Sequence, residues 1–165
     1  MVLRTLRVIA TGGTFDKHYD EIAGELVFAA SHLPQVIART RINSAIELEE
    51  LPLLDSLDMQ DIDRRRVLAS CANAEEEAIV IIHGTDTMQE TAAVLGAGNL
   101  AKAIVVTGAM IPYEITNSDA LFNFGFACGV VQYLPHGVYV AMNGKIFSWD
   151  KVQKNCSVGV FEASD

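Results

Sequence analysis

Five consecutive apolar residues, Ala78-Ile79-Val80-Ile81-Ile82, run directly into His83-Gly84-Thr85-Asp86-Thr87 and then into a helical pattern. A run that short and that rich in β-branched residues reads as a buried strand. Gly84 supplies the turn. Asp86 or Thr87 can cap the helix that follows, because Gln89 and Glu90 sit three residues after each, as a capping box needs. The Thr85 hydroxyl and the Asp86 carboxylate therefore fall where a strand ends and a helix begins. In an open α/β sheet, ligands bind in the crevice beyond the carboxyl ends of the strands.

The same alternation recurs along the chain. Leu6 to Ala10 reads as a strand, and Thr11-Gly12-Gly13-Thr14 as a tight turn whose glycines let the backbone approach a ligand closely. Phe15 to Val27 lacks helical periodicity and reads as a loop or loose hairpin, a candidate lid beside a site. Tyr19 within it is either an anchoring aromatic or a catalytic phenol. Ser31 caps a short helix with Pro34 in its first turn, which leaves His32 expected at the surface. Ala45 to Leu51 alternates as a strand, Pro52 to Met59 connects, and Asp61 to Ala72 forms an amphipathic helix with Arg64, Arg65 and Arg66 on a solvated face. A helix from Asp86 to about Gly98, a strand over Ala103 to Val106, a helix capped by Asn117-Ser118-Asp119 and a strand over Val138 to Met142 follow. Beyond Asn143 the chain is polar and ends in a short tail. Strands alternating with helices imply βαβ units. The expected fold is an open, mostly parallel, doubly wound α/β sheet of the flavodoxin or Rossmann kind, with helices on both faces.

At 165 residues the chain is expected to form one domain, residues 1–165. Its net charge of -9 argues against nucleic acid or an anionic membrane as partner. No apolar run is long enough to span a bilayer. The first strand starts almost at once, with no secretory signal pattern ahead of it, so a cytoplasmic location is expected. Cys71, Cys128 and Cys156 are widely spaced and show no zinc-site pattern, and Cys71 and Cys128 read as buried thiols.

Loops carrying Thr or Asp follow three strands: Thr11 to Thr14, Thr85-Asp86, and Thr107. His18, His32, His83 and His136 show no metal-ligand spacing, so no metal is expected. There is no GxSxG elbow for a Ser-His-Asp hydrolase, and no P-loop or GxGxxG for phosphate. What remains is a hydroxyl nucleophile working without histidine. Such a hydroxyl needs a neighbouring base, a role a lysine can fill, while backbone N–H groups at a glycine turn or helix start can hold an oxyanion.

Thr11-Gly12-Gly13-Thr14, then His83-Gly84-Thr85-Asp86-Thr87-Met88 with Glu90-Thr91-Ala92, then Val106-Thr107-Gly108-Ala109-Met110 with Ser118-Asp119-Ala120, together resemble the bacterial-type L-asparaginase/glutaminase family. The resemblance runs from about Leu3 to Phe161 and covers that family's larger N-terminal domain. It implies hydrolysis of a side-chain amide, of asparagine and in some cases glutamine, to a carboxylate and ammonia through a threonine acyl-enzyme, with no cofactor. By the same resemblance Thr14 is the nucleophile and Tyr19 a catalytic tyrosine on the flexible loop. Thr85 activates water with Lys154 as its basic partner, Lys154 being preferred over nearby Lys151. Asp86 binds the substrate α-ammonium, Ser56 its α-carboxylate, and Gly13 and Gly84 bring backbone close to it. A homo-oligomer, dimer or tetramer, is implied as well. The family's smaller C-terminal domain is expected to be absent, and Leu57 stands where many members carry a substrate-contacting glutamine. Two rival readings keep the pocket: a non-catalytic amino-acid-binding or regulatory protein, and an amidotransferase subunit.

Overall fold

The structure, a computed structural model, describes residues 3–164. Six strands make the central sheet: β1 (Leu6–Gly12), β4 (Ile46–Leu54), β5 (Ala78–Ile82), β6 (Ala103–Thr107), β7 (Gly137–Met142) and β8 (Lys145–Ser148), in the order β4-β1-β5-β6-β7-β8. All neighbours run parallel except β7 and β8. The central strands are apolar throughout because both faces are covered. Val8, Ala10, Val80 and Ile82 pack with Leu33 and Val36 of α1 (Leu33–Thr40) and Phe124 of α4 (Ala120–Val130). Ile9, Ile79 and Ile81 face the other way, against Val67 and Cys71 of α2 (Asp61–Asn73) and Met88 and Leu95 of α3 (Met88–Ala97). Each of these strand residues is fully buried. Burial of a side chain such as Val or Ile contributes roughly 1.5–3 kcal/mol, so truncating Ile81 to alanine costs about 2–5 kcal/mol.

Strand order positions the site. The parallel strands in chain order are β1, β4, β5, β6 and β7, yet β1 lies between β4 and β5. The chain leaves β1 toward one side of the sheet and continues from β5 toward the other. The point where winding reverses is the β1/β5 boundary, and ligands in open α/β sheets bind beyond the carboxyl ends of the strands at such a point.

Several local expectations change. β4 extends to Leu54, past the expected end at Leu51, because a register shift between Ala10 and Gly12 lets Gly12 pair with Leu54. Of the two readings of Phe15 to Val27, loop or loose hairpin, the hairpin forms, as antiparallel β2 (Lys17–Asp20) and β3 (Glu25–Phe28), one residue past the expected end. The polar tail is structured: β8 joins the main sheet, and β9 (Gln153–Asn155) pairs with β10 (Val160–Glu162), held down by buried Phe161. His32 is buried rather than surface-exposed, its ring 3.9 Å from that of His18 and 5.2 Å from that of Tyr113. Arg64 is buried too, because its helix face meets α3; its guanidinium donates to the Met59 carbonyl (3.0 Å) and to Glu90 (2.6 Å). Arg65 and Arg66 do face solvent. Cys71 and Cys128 are buried, and burial pushes both thiols up to about 12. Among the described residues no helix is long and apolar enough to cross a membrane.

Candidate active site

The turns after β1 and β5 touch through their backbones. Gly13 adopts φ 73°, ψ -179°, a region open essentially to glycine alone. A Cβ built on it would lie 2.3 Å from the Gly84 nitrogen and 2.4 Å from the Gly84 Cα. Gly84 is equally confined on its other side, where a Cβ would lie 2.5 Å from Ser56 Oγ. Three connections, following β1, β4 and β5, therefore converge at the switch point. Ser56 is buried, and its carbonyl accepts a hydrogen bond from Thr87 Oγ1 at 2.7 Å. Thr14 follows Gly13 on a short 3-10 helix, Thr14–Asp16, and is half-buried.

Thr85 and Asp86 share one partner. Lys154 Nζ donates to Thr85 Oγ1 at 2.9 Å and to Asp86 Oδ1 at 2.6 Å. Thr85 is buried, and the Lys154 side chain is only 8% exposed, so the hydroxyl and ammonium meet with little water between them. The Asp86 side chain is 45% exposed and has its second oxygen left for a ligand. The β9–β10 hairpin aims the lysine: Lys154 pairs with Phe161, which is anchored in the core. Lys151 is exposed. Thr87 is the N-cap of α3, one of the two expected positions, but it makes no side-chain cap bond and the expected capping box does not form. Its hydroxyl goes to Ser56 and the Asp86 carboxylate to Lys154. Both groups thus hold loops together rather than satisfy helix N–H groups.

His83, not singled out by sequence, is the strut beneath this turn. Its ring is fully buried, with Nδ1 2.9 Å from the Gly84 carbonyl and Nε2 2.8 Å from Thr91 Oγ1. A carbonyl only accepts, so Nδ1 carries the proton and Nε2 accepts from the threonine. Burial, opposed by the hydrogen bond to Gly84 and aided by the nearby Arg64 charge, lowers the pKa to about 4. The only signal for this role was the spacing of His83 and Thr91, and nothing in that spacing specifies a partner.

The other hydroxyls read from the strand ends are spent on the sheet. Thr11 Oγ1 donates to the Ile82 carbonyl (2.8 Å), and Thr107 Oγ1 to the Ala141 carbonyl (2.7 Å). Gly13 and Gly84 are thus brought together by backbone contact, the Ser56 side chain packs against Gly84, and Thr85, Asp86 and Lys154 are joined by hydrogen bonds. Among the described residues no hydrogen bond joins Tyr19 to either group. It lies on β2, is 55% exposed, and is anchored through its backbone N–H to the Glu114 carboxylate. Lys17 ties the same hairpin to the Ser56 loop through a 2.5 Å ion pair with Asp55, and Lys17 beside Asp55 holds that carboxyl below the usual range. Leu57 projects outward, 71% exposed. A hydroxyl held by a lysine, an aspartate with its second oxygen left unpaired and a crowded glycine turn thus lie together at the ends of β1 and β5.

A family model described as "Asparaginase, N-terminal" matches residues 5–162. An L-asparaginase of Thermococcus kodakarensis is 32% identical over 160 residues, which cover 94% of this chain and 49% of that protein. The solved thermostable L-asparaginase from Thermococcus kodakarensis superposes with a TM-score of 0.86 at 32% identity, over 96% of this chain and 51% of that one. A glutamyl-tRNA(Gln) amidotransferase component of Pyrococcus furiosus is 31% identical over 150 residues, covering 87% of this chain and 34% of that protein. The chain spans about half the length of the asparaginases it matches.

Proposed function

The chain belongs to the asparaginase family, and from that premise we propose that it hydrolyses the side-chain amide of L-asparagine to L-aspartate and ammonia. The observation that carries this reading is the Lys154–Thr85–Asp86 cluster at the switch point, beside the Gly13–Gly84 contact. In this reading Asp86 uses its second oxygen to take the substrate α-ammonium, a charge-assisted pair, and Ser56 receives the α-carboxylate. Thr14 Oγ attacks the side-chain carbonyl carbon. Backbone N–H groups near the glycine turn take up the oxyanion. The hydroxyl proton passes to the leaving nitrogen, the C–N bond breaks, and ammonia departs from a threonine ester. Thr85 Oγ1, fixed by Lys154 Nζ, orients a water that attacks the ester while its proton passes through the Thr85 hydroxyl to the departing Thr14 oxygen, which releases aspartate and restores Thr14. Tyr19 acts after its hairpin closes over the crevice, a motion that also excludes water. Assembly as a homo-oligomer and residence in the cytoplasm complete the reading.

The test is ammonia release from asparagine and from glutamine by wild type, Thr14→Val and Thr85→Val. Release with asparagine and near-total loss in both variants is expected. Undiminished release by Thr14→Val removes that threonine as nucleophile. Asparagine binding without any turnover in wild type supports an amino-acid-binding protein instead. The similarity to an amidotransferase component over 87% of the chain favours a second reading, in which the same hydrolysis feeds ammonia to a partner. Release that appears only with a partner protein and its tRNA would support that one.

A further inference from the structure

We propose that His18, His32 and Glu114 form a binding site for a zinc-class divalent cation that pins the Tyr19 hairpin to the body of the molecule. One nitrogen from each histidine and one Glu114 carboxylate oxygen all lie within 4.8 Å of one another. His18 Nδ1 is 3.3 Å from Glu114 Oε2, and His32 Nε2 is 3.8 Å from the same oxygen. Two ligand atoms about 2.0–2.1 Å from a tetrahedral zinc are roughly 3.3–3.4 Å apart. The spacing is thus within small side-chain rotations of coordination.

Each ligand is prepared by its other contacts. His18 Nε2 is 2.8 Å from the Ala30 carbonyl. That bond places the ring proton on Nε2 and leaves the Nδ1 lone pair aimed at the cluster, as the outer partner of a metal-bound imidazole does. His32 is only 5% exposed, and its Nε2 has no hydrogen-bond partner. A buried polar atom left without a partner is costly, and a cation seated against Glu114 Oε2 supplies one. The remaining Glu114 oxygen, Oε1, accepts from the Tyr19 backbone N–H, which holds the carboxylate in place. Two imidazoles and a carboxylate match zinc better than magnesium or calcium, which prefer all-oxygen sets. Glu114 is partly exposed, so a water has access to the fourth position.

Linear spacing hides this set because its members come from three places: the β2 strand, the residue before α1, and the loop before α4. The fold joins them around the hairpin. His18 and Tyr19 are consecutive, so a cation on His18 fixes the strand that presents the phenol on its opposite face. Binding does not depend on the proposed hydrolysis; only an effect on turnover would, through the role given to Tyr19.

The experiment is calorimetric titration of the full chain with zinc chloride after chelator treatment, alongside His18→Ala, Glu114→Gln and Cys156→Ser, with hydrogen exchange measured with and without zinc. Expected are one zinc per chain in wild type and in Cys156→Ser, affinity at least about tenfold weaker in His18→Ala and Glu114→Gln, and slower exchange over residues 17–28 when zinc is bound. His18 and Glu114 are partly exposed, so these variants are expected to fold, as circular dichroism can check. No binding by folded wild type overturns the proposal. So does equal affinity in both ligand variants, or loss of binding in Cys156→Ser. Binding without added protection of the hairpin overturns the pinning. Asparagine turnover by zinc-free protein is a separate reading that none of these outcomes touches.

Discussion

The contact between the glycine turns can be tested without any substrate. Gly13→Ala adds one Cβ where the Gly84 nitrogen would be 2.3 Å away, the Gly84 Cα 2.4 Å and the His83 carbonyl carbon 2.7 Å. All three atoms are backbone, so no side chain can swing aside. Holding alanine at φ 73°, ψ -179° costs about 1–3 kcal/mol, and forcing atoms into a filled space costs about 1–3 kcal/mol more. The sum, roughly 2–6 kcal/mol, is a large share of a typical domain's stability. A loss in the middle of that range lowers the melting temperature by roughly 8–16 °C. Gly24→Ala is the control: φ is also positive, at 71°, but nothing lies within 4 Å of the added carbon. It should lose only about 1–2 kcal/mol. Urea denaturation of the three proteins gives the comparison, provided the slope with denaturant stays constant. If Gly13→Ala falls within about 0.5 kcal/mol of Gly24→Ala, the two turns do not pack as described, and the crevice they form is lost with them.

Three further outcomes follow from the site. Lys154→Met should lower kcat for asparagine by about 10²–10⁴-fold while costing less than about 1 kcal/mol of stability, since Asp86 is left nearly half-exposed to water; rate assays beside thermal melts check both. Tyr19→Phe should lower kcat more than it raises KM and leave stability within about 0.5 kcal/mol, because the side chain is largely exposed; an unchanged kcat would make Tyr19 an anchor only. His83 gives a pH dependence. Its folded pKa, about 4, lies below the ordinary 6.5, so the unfolded chain binds the extra proton between those values. Its contribution is whole above pH 6.5 and is lost as pH falls toward 4, to a total of roughly 3 kcal/mol. Asp16, whose carboxyl burial pushes up, works in the opposite direction. His83 is therefore best isolated by following its own ring resonances by NMR, where a midpoint near the ordinary 6.5 would refute the burial argument.

What could be read from the sequence, and what could not, divides along a physical line. β5 and β6 were legible because a strand covered on both faces must be apolar at every position, and that pattern is local. The expected α2, Asp61 to Ala72, falls one residue short of the observed Asp61–Asn73, because its amphipathic pattern is also local. The Asn143-Gly144 pair carries a local signal of its own: both residues take positive φ, 52° and 78°, and Met142 pairs with Lys145 across them. That is a two-residue hairpin in its most recognisable composition, and it turns the expected tail into β8. By contrast, β9 and β10 are three residues each, too short for a period-two pattern to emerge.

The same division runs through the candidate site. Thr85, Asp86 and the glycine turn were visible as the ends of strands, because the chemistry of a switch-point crevice is written next to the strands that form it. The pairing of β1 with β5 is a tertiary fact, and so is everything the pairing brings together. Lys154 came from family resemblance alone; by periodicity it was a solvated residue, and only the burial of Phe161 explains why it faces inward. His32 and Arg64 went the other way, read as surface and found buried, since a titratable side chain's burial depends on partners remote in sequence. For His32 these are His18 and Tyr113, and for Arg64 it is Glu90. His32 and Arg64 are residues whose surroundings are set by elements from elsewhere in the chain, the β2 strand for one and α3 for the other. A polar group in such a place is costly to keep, and it persists where it joins segments that apolar packing alone would leave free to separate.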